Sequence, residues 1–327
     1  MVVHNTTDKR RLNVLLVGEE AAAIQTLRSL AAGPHHVVAV MAKPAAPSQT
    51  AGLWSTAQRL GFPTWPAELV KRETTAQLIA DQSVDLILNV HSLFIMHPAV
   101  TQSAGIGAFN MHPGPLPEYA GLNVPSWAIY FGETQHGVTI HEMVEEIDAG
   151  TIAYQQRFPI TADDTGMSLM LKCVRAGLPL IRQLLEDAAH EDPQIPRIPQ
   201  TFQQRRYLKG AAPNQGWMCW NRPAADVLNH VRAADYSPFA SPWGHPQTQH
   251  QGRTIGIAKT CATQATCAVE PGTVGQTLEN GIQVATADDW VLVEKIELNG
   301  QRIDACQVLA PGDQLHEPAD VSLSLKP

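Results

Sequence analysis

No apolar run in this 327-residue sequence is long enough to cross a bilayer as a helix, so a helical membrane protein is not expected. The N-terminal stretch "MVVHNTTDKRRLNVLLVG" lacks the long apolar run and small-residue cleavage site of a secretory signal. No C-x-x-C pair occurs among the five cysteines, Cys173, Cys219, Cys261, Cys267 and Cys306. Their odd number and low density indicate free thiols in a reducing cytoplasm, not a disulfide scaffold or a structural zinc site. None of the 13 histidines falls in H-E-x-x-H spacing, so no metal is expected. No G-x-G-x-x-G follows the first strand-like run, which argues against a nicotinamide-dependent dehydrogenase. Charged residues make up only 17% and the formal net charge is −8, which argues against wide binding to a phosphate backbone. There is no internal repeat and no low-complexity tract.

What remains is an ordinary globular composition, 44% apolar, in a chain long enough for two domains. "LNVLLVG", "HVVAVMA", "VDLILNV" and "IGAFNMH" read as buried strands. Between them, "AAAIQTLRSLAA", "TAGLWSTAQRLG" and "TTAQLIADQ" have helical periodicity, and "AVTQSA" fits a short helix. "NVPSWAIYFG" follows as a helix with an early proline, then "HGVTIHEMV" and "GTIAYQQRFPI" as strands. "TGMSLMLKCVRAGLPLIRQLLEDA" is a long amphipathic helix, with a bend expected at Pro179. The alternation predicts a doubly wound, Rossmann-like α/β domain over 1–189. "HEDPQIPRIPQ" is Pro-rich and polar, and a linker is expected over 190–204. From 205 to 327, one helix ("AADVLNHVRAAD") and short β pieces separated by Gly and Pro predict a small, OB-like β-barrel.

The chemistry is concentrated in "NMHPGPLPEYAG", where Asn110 and His112 leave the end of a strand for a stiff loop. Ligands of doubly wound sheets sit at the carboxyl ends of strands. A neutral His moves protons near pH 7, and an Asn amide holds an oxygen on which charge develops. Asp148, in "EEIDAGT", is the carboxylate available to orient the imidazole. Taken singly, an N-x-H is common at strand ends and an Asp before Ala-Gly is an ordinary turn residue. The combination is what points to an active site.

"FNMHPGPLPEYAGLN" followed by "HGVTIHEMVEEIDAGTI" resembles the formyltransferases that use 10-formyltetrahydrofolate. The family pattern Asn-x-His-x-x-x-Leu-Pro, Gly-Val-Thr, Asp-x-Gly falls on Asn110, His112, Leu116, Pro117, Gly137, Val138, Thr139, Asp148 and Gly150. The tail is similar, more loosely, to the C-terminal barrel of the tRNA enzyme of that family. The resemblance implies a catalytic set of Asn110, His112 and Asp148, with 10-formyltetrahydrofolate as cosubstrate and no metal. It implies folate contacts along His91, Ser92, Leu93, Phe94 and Ile95, at Leu116 and Pro117, and along Val144, Glu145, Glu146 and Ile147. His141 matches a His of some branches; it either touches the folate or holds the loop.

The family differs in its acceptor. "VGEEAAAI" lacks the Gly-Ser-Asn cradle of the enzyme acting on a phosphorylated purine precursor. "AKPAAPSQTAGLW" carries only Lys43, where the tRNA enzyme has a basic insertion. "EYAGLNVPSWAI" resembles formyltransferases of siderophore and nonribosomal-peptide pathways. Asn123, Ser126 and Trp127 are candidates to line an acceptor pocket, and Trp127 fits a core position equally well. The expected acceptor is the amine of a small or carrier-protein-bound amino acid, such as hydroxyornithine. Methionyl-tRNA is the alternative, and "RRYLKG" either contacts phosphate or is a solvated linker face. An amino sugar, and a binding module that has kept the fold without turnover, also stay open. So does a homodimer. Hydrolysis of the formyl folate is not expected, because the first strand begins near Leu12 without the preceding domain of that branch. Trp217, Trp220 and Trp243 fit either barrel packing or stacking on a ligand ring.

Overall fold

The computed structural model describes residues 9–45 and 52–318. Each apolar run of the first half becomes a strand. These are β1 (Asn13–Gly18), β2 (His36–Ala42), β4 (Leu86–Val90) and β5 (Gly107–His112), with the short β3 (Thr64–Pro66) preceding β4. Helices α1 (Glu20–Ala31), α2 (Leu53–Arg59), α3 (Thr75–Asp81) and α4 (Pro98–Thr101) alternate with them. The start of the helix expected over "TAGLWSTAQRLG", and most of the loop before it, lies outside the described residues.

The first sheet has the order β3-β2-β1-β4-β5-β7-β8, where β7 is Gln135–Glu142 and β8 is Ile152–Pro159; the two-residue strands β6 (Ala120–Gly121) and β9 (Tyr207–Leu208) are not part of it. β1 pairs in parallel with both β2 and β4, and β4 with β5, whereas β5 and β7 are antiparallel. The chain therefore reverses its direction of travel across the sheet between β1 and β4, the kind of point where doubly wound sheets bind ligands. Gly18 closes this point tightly: a Cβ there would lie 2.6 Å from the Val90 carbonyl oxygen. Leu15, Val17, Ile87 and Ala108 form a core with Val70, Ile79 and Val100.

Helix α5 (Val124–Tyr130) carries Pro125 in its first turn, as expected, and α6 (Gly166–Ala188) runs through Pro179 as one 23-residue element. Among the described residues, no helix is long and apolar enough to cross a membrane. Beyond it, α7 (Ala224–Ala233) precedes an antiparallel sheet. Its strands are β10 (Gln247–His250), β11 (Arg253–Thr266), β12 (Val274–Leu278), β13 (Gly281–Ala285), β14 (Asp289–Leu298) and β15 (Gln301–Asp304). The order is β10-β11-β14-β13-β12, with β15 on β14. Gln249 on β10 bridges to His316, and Thr273 beside β12 bridges to Gln314. One short segment thus bonds to both edges of the sheet, which covers the open strands. Trp220, Ile257, Ile282 and Val291 anchor its core, and the Trp220 indole donates to Thr248 Oγ1 at 3.1 Å.

The contacts divide the chain into two compact units. One comprises the residues up to 120 with 137–157 and 172–206; the other comprises 121–136, 158–171 and the residues from 207 on. Residues 121–136 join the C-terminal unit because the Trp127 ring meets Trp243 at 4.9 Å and Tyr130 meets His230 at 5.2 Å. The expected linker, 190–204, belongs to the first unit.

Candidate active site

Strands β4, β5 and β7 lie side by side, and their register sets polar residues in a row. Asn89 stands opposite Asn110, and Asn110 opposite His141. Two residues on, His112 stands opposite Thr139. Alternate residues of a strand share a face, so Asn110 and His112 project together.

The hydrogen bonds along this row have a defined polarity. Asn89 Nδ2 donates to Asn110 Oδ1 at 2.9 Å. His141 Nδ1 lies 2.9 Å from the Glu142 carbonyl, which only accepts, so Nδ1 carries a proton; an amide nitrogen only donates. His141 Nε2 is then the acceptor for Asn110 Nδ2, at 3.1 Å. One amide hydrogen of Asn110 is left over for a further acceptor.

His112 is held from the loop that follows it. Its Nε2 lies 2.6 Å from the Tyr119 carbonyl, and by the same logic donates to it. Nδ1 faces Asp148 Oδ2 at 3.6 Å, while Asp148 Oδ1 is 3.4 Å from His141 Nε2. All three side chains are buried. Sequence reasoning gave Asp148 the task of orienting His112; the structure adds a close hydrogen bond from the other ring nitrogen to the Tyr119 carbonyl. Burial pushes the His112 pKa below its ordinary value, against the pull of the Asp148 charge; His141 lowers it too, and the Tyr119 bond raises it. The ring is therefore neutral at pH 7.

The loop bearing Asp148 is strapped down by 197–205. Gln200 Nε2 donates to the carbonyls of Asp148 at 2.9 Å and Gly150 at 2.7 Å. Arg205 bonds Glu146 Oε1 and the Ile147 carbonyl, both at 2.6 Å, and Arg197 pairs with Glu142. A Cβ on Gly150 would overlap the Glu142 carbonyl, so the motif's glycine is a packing requirement. The "PGPLP" loop is likewise tied. Thr139 Oγ1 donates to the Gly114 carbonyl at 2.7 Å and accepts from the Leu116 amide at 3.1 Å. The Leu116 carbonyl takes Gln155 Nε2 at 2.8 Å, and the Leu116–Pro117 peptide is cis.

A model of the formyl transferase family matches residues 3–182. The chain belongs to that family. The model of the formyl transferase C-terminal domain matches residues 212–312. The formyltransferase also resembles solved structures. An N-formyltransferase from Helicobacter canadensis, in complex with folinic acid and dTDP-3-aminofucose, is 16% identical with a TM-score of 0.66, over 86% of this chain and 99% of that one. A sugar N-formyltransferase from Shewanella sp FDAARGOS_354 is 19% identical with a TM-score of 0.60, over 75% and 96%. HypX from Aquifex aeolicus, in complex with tetrahydrofolic acid, is 17% identical with a TM-score of 0.59, over 91% of this chain and 47% of that one. At these identities the likeness is one of fold.

The other expected site residues of the formyltransferase fall into two groups. His91 to Ile95 follow β4 in the first unit, and Leu93 and Ile95 are 76% and 66% exposed. Lys71 sits over the Phe94 ring at 4.9 Å, and Ser92 Oγ accepts from the Phe94 amide at 3.4 Å. Val144, Glu145, Glu146 and Ile147 are exposed on the Asp148 loop. His91 and Asp148 both have left-handed backbones, with φ of 58° and 55°, at a cost of roughly 1–3 kcal/mol each for non-glycine residues. Burial, then the nearby His112, lowers the His91 pKa to about 4.

Asn123, Ser126 and Trp127 lie in the second unit with their polar groups engaged there. Asn123 Nδ2 donates to the Gly210 carbonyl at 2.9 Å and Trp127 Nε1 to the Lys209 carbonyl at 3.1 Å, while Ser126 Oγ meets the Tyr236 hydroxyl at 3.0 Å. Sequence reasoning missed Asn89, Tyr119 and Gln200. Asn89 leaves a trace, as the lone amide in "LILNV"; Tyr119 acts through its backbone, which no side-chain pattern reports.

Proposed function

We propose that the protein transfers the formyl group of 10-formyltetrahydrofolate to the amine of a small or carrier-protein-bound amino acid. The observation that carries this reading is the convergence of the half-buried Asn110 with the buried His112 and Asp148, beside two loops with exposed apolar side chains. Those loops, His91–Ile95 and Val144–Asp148, suit a flat heterocycle held by backbone groups. The cosubstrate supplies a carbonyl carbon already bonded to a nitrogen leaving group.

Asn110 Nδ2 donates to the formyl oxygen as the amine nitrogen bonds to the carbon and charge gathers on the oxygen. The His112–Asp148 pair takes the proton that the amine loses, between Nδ1 and the carboxylate. The same proton goes to the folate nitrogen when its bond to carbon breaks and the oxygen re-forms the carbonyl. The products are a formamide and tetrahydrofolate.

Charge supports the choice of acceptor. Arg205 pairs with Glu146, and Arg206 lies over the Tyr119 ring at 4.5 Å, so two of the three cations in "RRYLKG" already have partners. Lys43 is the remaining cation of the loop after β2. This supports a small amine over tRNA. An amino sugar is the second reading, favoured by the likeness to the Helicobacter canadensis fold crystallised with dTDP-3-aminofucose. The test is single-turnover release of tetrahydrofolate with hydroxyornithine, carrier-loaded amino acids, a nucleotide amino sugar or methionyl-tRNA. Fast release with an amino acid is expected. Release only with the sugar or the tRNA would transfer the assignment to that acceptor. No binding of the folate would overturn the reading.

A further inference from the structure

Asn89 is 5% exposed and is the one polar residue of β4, Leu86–Val90. Its Nδ2 is spent on Asn110 Oδ1, and its own Oδ1 is buried with no hydrogen-bond partner. An unpaired buried carbonyl oxygen costs on the order of 1–3 kcal/mol. An apolar side chain there would avoid that cost. A residue kept at such expense in an all-apolar strand calls for a reason in what its other atom does.

That atom sets which way the Asn110 amide points. Asn110 has one acceptor and one donor group, and its two ends face Asn89 and His141. Turned by 180°, its oxygen would face His141 Nε2 and its two N–H groups would lie on the Asn89 side, so the free N–H would leave the side on which the unturned amide offers it. The Glu142 carbonyl polarises the row from one end through His141; Asn89 polarises it from the other. We propose that Asn89 is the positioning residue that locks the Asn110 amide with its nitrogen toward His141 and its second N–H free, as formyl transfer requires. This rests on the formyl-transfer reading of the site.

Two variants separate the role from simple packing. Asn89→Leu removes the lock; Asn89→Asp replaces the donor by a carboxylate, which drives the amide to turn. Expected are a loss in single-turnover rate of roughly tenfold for the first and roughly a hundredfold for the second, as for a lost oxyanion donor. Folinic acid affinity, read by calorimetry, is expected to stay within about twofold. The melting temperature of Asn89→Leu is expected to hold or rise. A readout free of any acceptor is the 15N NMR of the His141 ring. In the parent Nε2 is a bare acceptor; in Asn89→Asp it is expected to take up a proton to meet the turned Asn110 oxygen. An unchanged His141 ring in Asn89→Asp would overturn the proposal, as would a lowered melting temperature with full transfer in Asn89→Leu. Failure of the parent to transfer formyl to any amine, with the ring shift intact, would instead remove the functional reading and leave the lock standing.

Discussion

His112 keeps one proton on Nε2 against the Tyr119 carbonyl and turns Nδ1 to Asp148, and in the proposed reaction the exchangeable proton belongs to the pair. His112→Ala removes the carrier, and we expect a folded protein whose transfer rate falls by roughly a thousandfold. A rate equal to the parent's would take His112 out of the chemistry. Asp148→Asn tests the charge. Asp148 raises the His112 pKa against the larger effect of burial. Without it that pKa drops further. The acid limb of the rate profile therefore moves to lower pH, while the plateau rate falls. A pH–rate profile with an unmoved acid limb would mean that Asp148 does not act on this ring.

The elements act through register and through a strap. Side-by-side strands put Asn89, Asn110 and His141 in one row, though they are far apart in sequence. The strap at 197–205 then fixes the Asp148 loop in its left-handed turn. Gln200→Leu removes two hydrogen bonds to that loop. We expect its kcat to fall by about tenfold, with the melting temperature lowered by a few degrees. Equal kcat would mean that Arg205 alone suffices. Gly150→Ala forces a Cβ into the Glu142 carbonyl, and overpacking of this kind costs about 1–3 kcal/mol. Denaturant unfolding would measure it as a lower midpoint.

At the scale of the molecule, buried neutral histidines make stability depend on pH. His91 is lowered to about 4 and His230 to about 3, both chiefly by burial. Between the ordinary value of 6.5 and these values, the unfolded chain holds protons that the folded one does not. Stability is therefore full above about pH 6.5 and declines as the pH falls toward 4. Thermal scans from pH 7 to 4.5 are expected to show this decline, with a flatter slope in His230→Leu. Salt gives a second test of the whole. With a small amine, raising NaCl from 50 to 200 mM is expected to leave kcat/KM within about twofold. A nucleic-acid acceptor contacting several phosphates would lose on the order of a thousandfold.

The sequence by itself determined six of the seven strands of the first sheet, all but the three-residue β3, and the residues of the motif. Period and apolar runs report burial directly, and Asn110, His112 and Asp148 sit in a recognisable order. It also indicated the C-terminal sheet, although β11 extends over 14 residues where a shorter strand was expected. Only the tertiary structure decided what surrounds the motif. Asn89 meets Asn110 through strand pairing, Tyr119 serves through a carbonyl, and Gln200 reaches back from an expected linker. The division into units was equally hidden, since 121–136 and 190–206 are placed by packing with distant segments. Local chemistry is written along the chain, whereas hydrogen-bond polarity arises only where remote strands and loops are brought to within about 3 Å of one another.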